Sequence, residues 1–257
     1  MIGIISPIID APVLVVEGDQ KVLVAADIHL GIEYELWLGG ANIPSQTKRI
    51  LAKLQSYIEM VRPDRLVLLG DIKHNVPRMS WQERDEVPAF LGSLLEKVDV
   101  DLVPGNHDGG LADLVPPDIR MLPASGYLLD NVGYFHGHSW PDVELFRSEM
   151  LIASHIHPTI RLIDPLGYSS IEQVWVRSPV DSALLEKHYG CGLKSPPMII
   201  VPAFNELCGG RPLNVIYGDC DRGPISKMAD LDLAEIYLLD GTHLGRLDKI
   251  KAAYRDL

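Results

Sequence analysis

Residues 22–29 read Val-Leu-Val-Ala-Ala-Asp-Ile-His, a short apolar run that ends on two polar side chains. Similar runs occupy residues 66–69, 100–103 and 150–153, and each is followed within a few residues by Asp, Asn or His. Apolar runs of this length are typical of buried strands. Open α/β folds place their sites at the carboxyl ends of such strands. The pattern therefore predicts one sheet edge that collects the polar side chains.

The segments between the first three runs have the spacing of helices. Apolar residues recur on one face of residues 45–61. Ser80 and Glu83 have the spacing of a capping box, which predicts a helix that extends to about residue 97. Strand and helix therefore alternate up to residue 103, and this order favours a parallel sheet with right-handed crossovers.

From residue 119 onward the pattern changes to short strands and turns. Residues 127–130 and 133–136 are typical of a hairpin, and residues 141–148 of a short helix. Residues 178–197 fit no element clearly, and we interpret them as an insertion at the rim. Together these elements predict an α/β fold in which two sheets pack face to face beneath helices. The further predicted strands are 171–176, 198–201, 213–217, 236–239 and 244–247.

The composition is that of one ordinary globular domain. The chain has 257 residues, of which 47% are apolar and 23% charged, and α/β folds of this length occur as single domains. The apolar N-terminus has no basic region and no run is long enough to span a membrane, so we expect a cytoplasmic protein. Cys191, Cys208 and Cys220 form no CxxC pair, and we expect them to be reduced and structural.

Potential metal ligands follow the predicted strands in an ordered series. They lie in five short frames: Ala-Asp-Ile-His (26–29), Leu-Gly-Asp-Ile-Lys-His (69–74), Pro-Gly-Asn-His-Asp (104–108), Phe-His-Gly-His (135–138) and Ser-His-Ile-His-Pro (154–158). In extended segments residues i and i+2 project to one side, so we expect each Asp-x-His or His-x-His pair to converge on one point. The seven candidate ligands are Asp27, His29, Asp71, Asn106, His136, His155 and His157.

These residue types suit a pair of divalent cations. Two cations roughly 3.5–4 Å apart can hold the attacking water and the phosphoryl oxygens of an in-line displacement. Asp71 can bridge the pair, and Asn106 offers a neutral oxygen that limits the negative charge. Imidazole nitrogen suits manganese, iron or zinc, whereas a site for Mg²⁺ alone would be expected to show carboxylates. The series therefore predicts a binuclear site for phosphoester cleavage.

The five frames make the chain resemble the calcineurin-like metallophosphoesterases. That family's pattern is Asp-x-His, Gly-Asp, Gly-Asn-His-Asp/Glu, an isolated His and Gly-His-x-His, and Ser154 here replaces the last glycine. Residues 26–33, 69–74 and 201–210 are similar to a small branch related to SbcD-type DNA repair nucleases. The resemblance implies a four-layer α/β/β/α sandwich of two mixed sheets. Its motif-bearing core would cover about residues 22–160, with accessory strands over about 164–257.

The resemblance also implies a role for each site residue. Asp27, His29, Asp71 and His157 would hold one cation, and Asp71, Asn106, His136 and His155 the other. His107 would stabilise or protonate the leaving oxygen, oriented by Asp108. His138, and with less support His74, would contact the substrate. The cations would be two Mn²⁺ ions, with iron or zinc as alternatives.

The implied function is a phosphodiesterase that acts on DNA, as a nuclease or an end-processing enzyme. A small-molecule phosphoesterase for nucleotides or cyclic nucleotides is the alternative, and a catalytically silent protein-binding scaffold is a remote one. By resemblance a DNA helicase or ligase is an expected partner, and a homodimer is among the oligomeric states that the sequence allows. The chain is too short to include the DNA-capping domain of the large repair nucleases.

The net charge of −12 weighs against nucleic acid as a partner, because nonspecific binding of nucleic acid depends on Lys and Arg. Two bound dications would offset about four negative charges at the phosphate. A local basic rim would weaken the objection further. The candidates for such a rim, all close to the motifs, are Lys73, Arg78, Arg147 and Arg161.

Overall fold

The computed structural model describes residues 3–190, 192–215 and 223–252, and for residues 251 and 252 the backbone alone. The first of two β-sheets has the strand order β1-β2-β3-β4-β5-β6, in which β3 to β6 are parallel and β1 and β2 are antiparallel neighbours. Its strands are β1 (Ile5–Pro7), β2 (Val13–Glu17), β3 (Lys21–Ala26), β4 (Arg65–Leu69), β5 (Asp99–Val103) and β6 (Arg120–Met121).

The second sheet is also mixed. Its strand order is β14-β13-β11-β12-β9-β8-β7, with β10 paired to β11. Strands β8, β9 and β12 are parallel, and the other pairs are antiparallel. The strands are β7 (Tyr127–Leu129), β8 (Val132–Tyr134), β9 (Met150–Ala153), β10 (Thr159–Ile163), β11 (Ser169–Ser178), β12 (Met198–Ile200), β13 (Glu235–Leu238) and β14 (His243–Arg246).

Helices cover the outer faces of the two sheets. Leu54 and Phe90 pack on the first sheet, and Leu185 and Ile225 pack on the second. No helix within the described ranges has both the length and the apolar character needed to cross a bilayer. The helices are α1 (Ile32–Leu38), α2 (Thr47–Val61), α3 (Trp81–Leu95), α4 (Ser182–Tyr189), α5 (Gly223–Met228) and α6 (Leu247–Ala252).

The inner faces of the two sheets share one apolar core. Val24, Leu69 and Val103 of the first sheet belong to the same buried cluster as Tyr134 and Ile152 of the second. Burial of apolar surface on both faces explains why these strands are continuous apolar runs. The layers are helix, sheet, sheet and helix, as the resemblance implies. The carboxyl ends of β3, β4, β5, β8 and β9 consequently reach the same edge of the sandwich.

The predicted core of the fold is confirmed, whereas several outer elements were missed or wrong. The strands before the five frames, the parallel crossovers, the hairpin and the Ser80 capping box are all present. The predicted strand 213–217 is wrong over 213–215, which form a turn and bend, and its other two residues lie outside the described ranges. Helix α4 occupies the predicted rim insertion. That insertion and the single domain stay predictions.

The elements without a prediction are mostly short or exposed. They comprise β1, β2, β6, β10, α1, α5 and α6. Strand β10 begins at Thr159, directly after the last ligand frame (154–158). The turn residues of that frame therefore hid the start of the strand in the sequence pattern. Cys208 is a buried free thiol, as expected of a structural cysteine, and Cys191 and Cys220 lie outside the described residues.

A buried glutamate stabilises the loop between β4 and α3. The Glu83 carboxylate accepts hydrogen bonds from the backbone N–H groups of His74 (3.0 Å), Asn75 (2.7 Å) and Ser80 (2.6 Å), and from the Ser80 hydroxyl (2.9 Å). We expect Glu83→Ala to lower the free energy of unfolding by about 2–4 kcal/mol, because it removes the capping box of α3 and leaves the half-buried N–H groups of Asn75 and Ser80 without this acceptor.

Urea unfolding would measure this loss, and Glu83→Gln is the matched control. The amide keeps the size of the side chain and one acceptor oxygen, so its loss should be smaller than that of Glu83→Ala. Equal midpoints for Glu83→Ala and the wild-type protein would contradict the structural role of Glu83.

Candidate metal centre

The ligand frames form two donor groups that share one carboxylate. Within each group, the potential ligand atoms all lie within 4.8 Å of one another. The first group is Asp27, His29, Asp71 and His157, and the second contains Asp71, His136 and His155. The structure therefore brings six of the seven predicted ligands together in the predicted division, with Asp71 in both groups.

Close contacts define the first group. His29 Nε2 lies 3.5 Å from Asp71 Oδ2 and 3.3 Å from His157 Nε2. His157 Nε2 lies 3.5 Å from Asp27 Oδ1. These atoms face a common point, and Asp27, His29 and Asp71 are almost completely buried. Two carboxylates and two imidazoles form a donor set suited to a divalent transition metal.

The second group is centred on His136. Its Nε2 lies 3.3 Å from Asp71 Oδ2 and 3.3 Å from Asn106 Oδ1. The Asn106 amide, the seventh predicted ligand, therefore adjoins this group. The His155 ring lies against the His136 ring, with centroids 4.9 Å apart. One carboxylate, one amide oxygen and two imidazoles can face a second cation.

The donor sets fit divalent cations. Asp27 Oδ1 is buried and has no hydrogen-bond partner among the described residues. A buried carboxylate oxygen of this kind requires a partner. A cation held by the first group would supply it, and the mixed nitrogen and oxygen donors suit manganese, iron or zinc.

The ligands converge through left-handed backbone, so the expected extended geometry is wrong. Asp27, His29, Asp71, His155 and His157 have φ values of 54°, 45°, 49°, 74° and 42°. Residues with a side chain rarely adopt this region, and each costs of order 1–3 kcal/mol. Two left-handed residues separated by one other residue turn both side chains toward the same point. The i, i+2 spacing therefore does bring the two side chains of each pair together, although its geometry is that of a strained turn.

Two glycines give the ligands their space. A Cβ atom at Gly70 would lie 2.0 Å from His136 Nδ1, and Gly70 also has φ 82°. A Cβ atom at Gly105 would lie 2.1 Å from Asp71 Oδ1. Glycine therefore precedes Asp71 and Asn106 because a ligand side chain lies too close to the backbone at Gly70 and at Gly105 to leave room for a Cβ atom.

The protonation of the histidines differs across the site. Burial lowers the pKa of His29 to about 3 and, together with His136, lowers the pKa of His155 to about 4. Burial also acts to lower the pKa of His136, but the Asp71 and Asp27 carboxylates and the Leu69 carbonyl oxygen together outweigh it and raise that pKa to about 9. Burial acts to lower the pKa of His157, and the Asp27 carboxylate acts to raise it. The net result is a raised pKa. Cation binding would displace protons from these last two imidazoles.

His107 lies at the rim of the first group without belonging to it. Its backbone N–H donates to Asp71 Oδ1 at 2.8 Å, and its ring lies edge-on to the His29 ring, with centroids 4.8 Å apart. The ring Nδ1 contacts the His74 carbonyl oxygen. That contact leaves Nε2 as the nitrogen available to a substrate.

Asp108 does not orient His107, so this expectation is wrong. Its carboxylate accepts hydrogen bonds from the backbone N–H groups of Ile72 (2.8 Å), Lys73 (3.2 Å) and Gly105 (2.7 Å). Burial and the Asp71 charge raise the pKa of Asp108 to about 6. Asp108 therefore ties the loop that carries Asp71 to the turn that carries Asn106, and the His74 carbonyl holds the His107 ring.

His74 and His138 both lie beside the ligands. His74 Nδ1 is 3.0 Å from His29 Nδ1, and its Nε2 is 2.5 Å from Glu35 Oε2. His138 adjoins the rings of His136 and His155, and its buried Nδ1 has no hydrogen-bond partner among the described residues. Both positions are compatible with the predicted substrate contacts.

Three further residues also support the ligands, a role that sequence reasoning assigned to none of them. The buried Asn205 amide donates to the carbonyl oxygens of Ile28 (2.9 Å) and His29 (3.4 Å). The Ser154 hydroxyl lies 3.0 Å from His136 Nδ1. Cys208 Sγ lies within 4.8 Å of ligand nitrogens of His29 and His157. Asn205 and Cys208 belong to the 201–210 segment, whose likeness to the SbcD-related branch was the available signal.

The expected basic rim is only partly present. Lys73 is completely buried, and its Nζ donates to the Asn75 carbonyl oxygen at 2.7 Å. Arg147 pairs with Glu144, and Arg161 donates to the Ser169 hydroxyl. Arg78 is exposed. Within the described part of the chain, no Lys or Arg forms an ion pair with Asp27 or Asp71.

The sequence as a whole identifies the family of this site. The calcineurin-like phosphoesterase family profile matches residues 20–191. The chain belongs to the calcineurin-like phosphoesterases. As a member of this family it is a metal-dependent phosphoester hydrolase, and the two donor groups are where its divalent cations would bind. Among curated protein sequences, none matches the chain significantly.

Two solved structures are similar to this calcineurin-like phosphoesterase. The crystal structure of the nuclease MPE from Pseudomonas putida is 18% identical, with a TM-score of 0.52, and the match covers 94% of this chain and 100% of MPE. YfcE, a phosphoesterase from E. coli, is 15% identical with a TM-score of 0.41, over 88% of this chain and 97% of YfcE. At this identity the likeness to MPE supports the fold.

Proposed function

We propose that this calcineurin-like phosphoesterase is a manganese-dependent phosphodiesterase that acts on DNA, as a nuclease or an end-processing enzyme. The observation that carries the phosphodiesterase assignment is the pair of donor groups that share Asp71. When bound, two cations would bind the phosphate oxygens and lower the pKa of the attacking water. The name of MPE as a nuclease supports nucleic acid as the substrate class.

The chain's own residues would position and protonate the substrate. His107 projects beside the first group with its Nδ1–H donated to a carbonyl oxygen, so in the imidazolium form its Nε2–H can be transferred to the leaving oxygen, which leaves a neutral ring. His138 adjoins the rings of His136 and His155 and can contact a phosphate oxygen. Asp108 and Asn205 fix the backbone of the ligand loops. Acid catalysis and positioning therefore come from separate residues.

The charges around the site favour a diester over a monoester. A terminal phosphate dianion is best bound by arginine forks, and no described Arg or Lys pairs with the ligand carboxylates. The cations alone would neutralise the single charge of a diester. We therefore expect kcat/KM for bis-p-nitrophenyl phosphate to exceed that for p-nitrophenyl phosphate by roughly tenfold or more in the presence of Mn²⁺, since each tenfold corresponds to about 1.4 kcal/mol.

Steady-state kinetics with both substrates would test this preference. The assay should be repeated with Mn²⁺, Fe²⁺, Zn²⁺ and Mg²⁺, because imidazole donors predict weak support by Mg²⁺. A preference for the monoester with every metal would contradict the diester assignment. Metal analysis of the same samples should give two cations per chain.

Labelled single-stranded and duplex DNA would test the nucleic-acid assignment. Lys73 is buried, and Arg147 and Arg161 have partners of their own, so DNA binding should be weak and should depend only modestly on salt. The net charge of −12 favours the second candidate, a small-molecule phosphoesterase. Hydrolysis of nucleotides or cyclic nucleotides, without cleavage of DNA in any metal, would establish that alternative.

A further inference from the structure

An exposed aromatic surface lies on α1. Tyr34 and Trp37 are 43% and 56% exposed, and Leu38 beside them is 64% exposed. The two rings stack, with centroids 5.9 Å apart and planes inclined by 27°. Single exposed apolar side chains are ordinary, but a stacked pair with a neighbouring leucine forms a patch of the kind that marks an interaction site.

The helix that carries this surface adjoins the candidate metal centre. Helix α1 begins at Ile32, three residues after the ligand His29. The Glu35 carboxylate on the same helix lies 2.5 Å from His74 Nε2, and His74 Nδ1 lies 3.0 Å from His29 Nδ1. The His74 ring also stacks on His107, with centroids 5.3 Å apart. One imidazole therefore separates Glu35 of α1 from a metal ligand.

We propose that Tyr34 and Trp37 form a stacking platform for an unpaired base of the strand whose phosphodiester is cleaved. This inference rests on the proposed function and names its substrate more closely. Bases stack on exposed aromatic rings with little dependence on sequence. In a duplex the faces of a base are covered by its neighbours, so the platform selects single-stranded over duplex nucleic acid.

The charges on α1 favour contact with a base over contact with a phosphate. Glu33 and Glu35 are the charged residues of this helix, and carboxylates repel the phosphate backbone. An uncharged base is not repelled by these carboxylates. Phosphate binding would therefore be confined to the cations, while α1 binds the neighbouring base. The platform's contribution should be almost independent of salt, unlike that of phosphate contacts.

A second copy of the chain is the competing occupant. A stable dimer buries about 800 Å² on each partner. The exposed apolar surface of α1 comprises three side chains on a helix of seven residues, which is much less than such an interface needs. The size of the patch suits one or two bases.

The platform can be tested with two substrates that share a backbone. One is a single-stranded oligonucleotide, and the other has abasic tetrahydrofuran residues on both sides of the cleaved phosphodiester. We expect the wild-type protein to prefer the substrate with bases by about tenfold in kcat/KM, since a stacked base contributes about 1–3 kcal/mol. The variant Tyr34→Ala/Trp37→Ala should lose this preference and cleave the abasic substrate at the wild-type rate.

Two further variants are controls. Tyr168→Ala removes an aromatic ring that is 76% exposed between β10 and β11, and it should keep the preference. Trp37→Phe retains an aromatic ring and should keep most of the preference for the substrate with bases. The preference of the wild-type protein should be the same at low and at physiological salt.

Several outcomes would overturn the platform. Equal cleavage of both substrates by the wild-type protein refutes the platform while the phosphodiesterase stands. An equal loss on both substrates in the double variant would show a structural role. A change from dimer to monomer in that variant, measured by light scattering, would assign the surface to a second copy. Absence of hydrolysis of either oligonucleotide and of bis-p-nitrophenyl phosphate would refute the proposed function itself.

Discussion

Asp71→Asn should reduce diester turnover by roughly a thousandfold and leave fewer than two cations per chain. Asp71 Oδ2 lies 3.5 Å from His29 Nε2 and 3.3 Å from His136 Nε2, and both donor groups contain Asp71. A bridging cation pair contributes several kcal/mol to transition-state stabilisation, and about 1.4 kcal/mol corresponds to each factor of ten. Metal analysis and kinetics on the same sample would measure both effects.

The substitution is chosen so that the fold survives. Asparagine keeps the size of the side chain and the oxygen that accepts from the His107 backbone N–H at 2.8 Å. The matched control is Asp85→Asn, at an exposed position of α3, which should change neither metal content nor turnover. Two tightly bound cations and near-normal turnover in Asp71→Asn would contradict a bridging role.

His107→Ala should lose about 10²–10⁴-fold in turnover while it retains both cations. The loss is that expected when a general acid is removed. Metal content should persist because the two donor groups are complete without this ring. His243→Ala, which removes an exposed imidazole paired with Glu235, is the control and should keep full activity.

The leaving group distinguishes acid catalysis from a structural role of His107. A p-nitrophenolate leaves without a proton, whereas an alkoxide such as a sugar hydroxyl needs one. His107→Ala should therefore impair an alkyl or nucleotide diester much more than bis-p-nitrophenyl phosphate. The His29, His74 and His107 nitrogens also lie within 4.8 Å of one another. Loss of a cation with equal impairment of both substrates would make His107 a ligand.

The sequence predicted the sheets and the grouping of the ligands because both depend on local patterns. Buried parallel strands are continuous apolar runs, and residues directly after them must meet at one edge of the sheet. Helix α3 was predictable through Ser80 and Glu83, since the capping box is a contact between residues three apart. These features are set by neighbours in the chain.

Features that depend on distant residues were not predictable from the sequence. Asp108 is next to His107 in the chain, yet its carboxylate binds backbone groups more than thirty residues away. Asn205 holds the Asp27–His29 turn from more than 170 residues away. Helix α1 escaped prediction because its apolar residues Tyr34, Trp37 and Leu38 face solvent, so it lacks the buried stripe that reveals a surface helix.

The geometry that brings the ligands together also destabilises the fold, because five of them have left-handed backbone: Asp27, His29, Asp71, His155 and His157. Glycine adopts that region without strain, so at each of these positions the residue best for the apo fold is one that cannot bind a metal. A lineage released from selection for hydrolysis could replace these ligands by glycine and become more thermostable. The cations would then act as folding ligands, and chelation should lower the melting temperature of this chain.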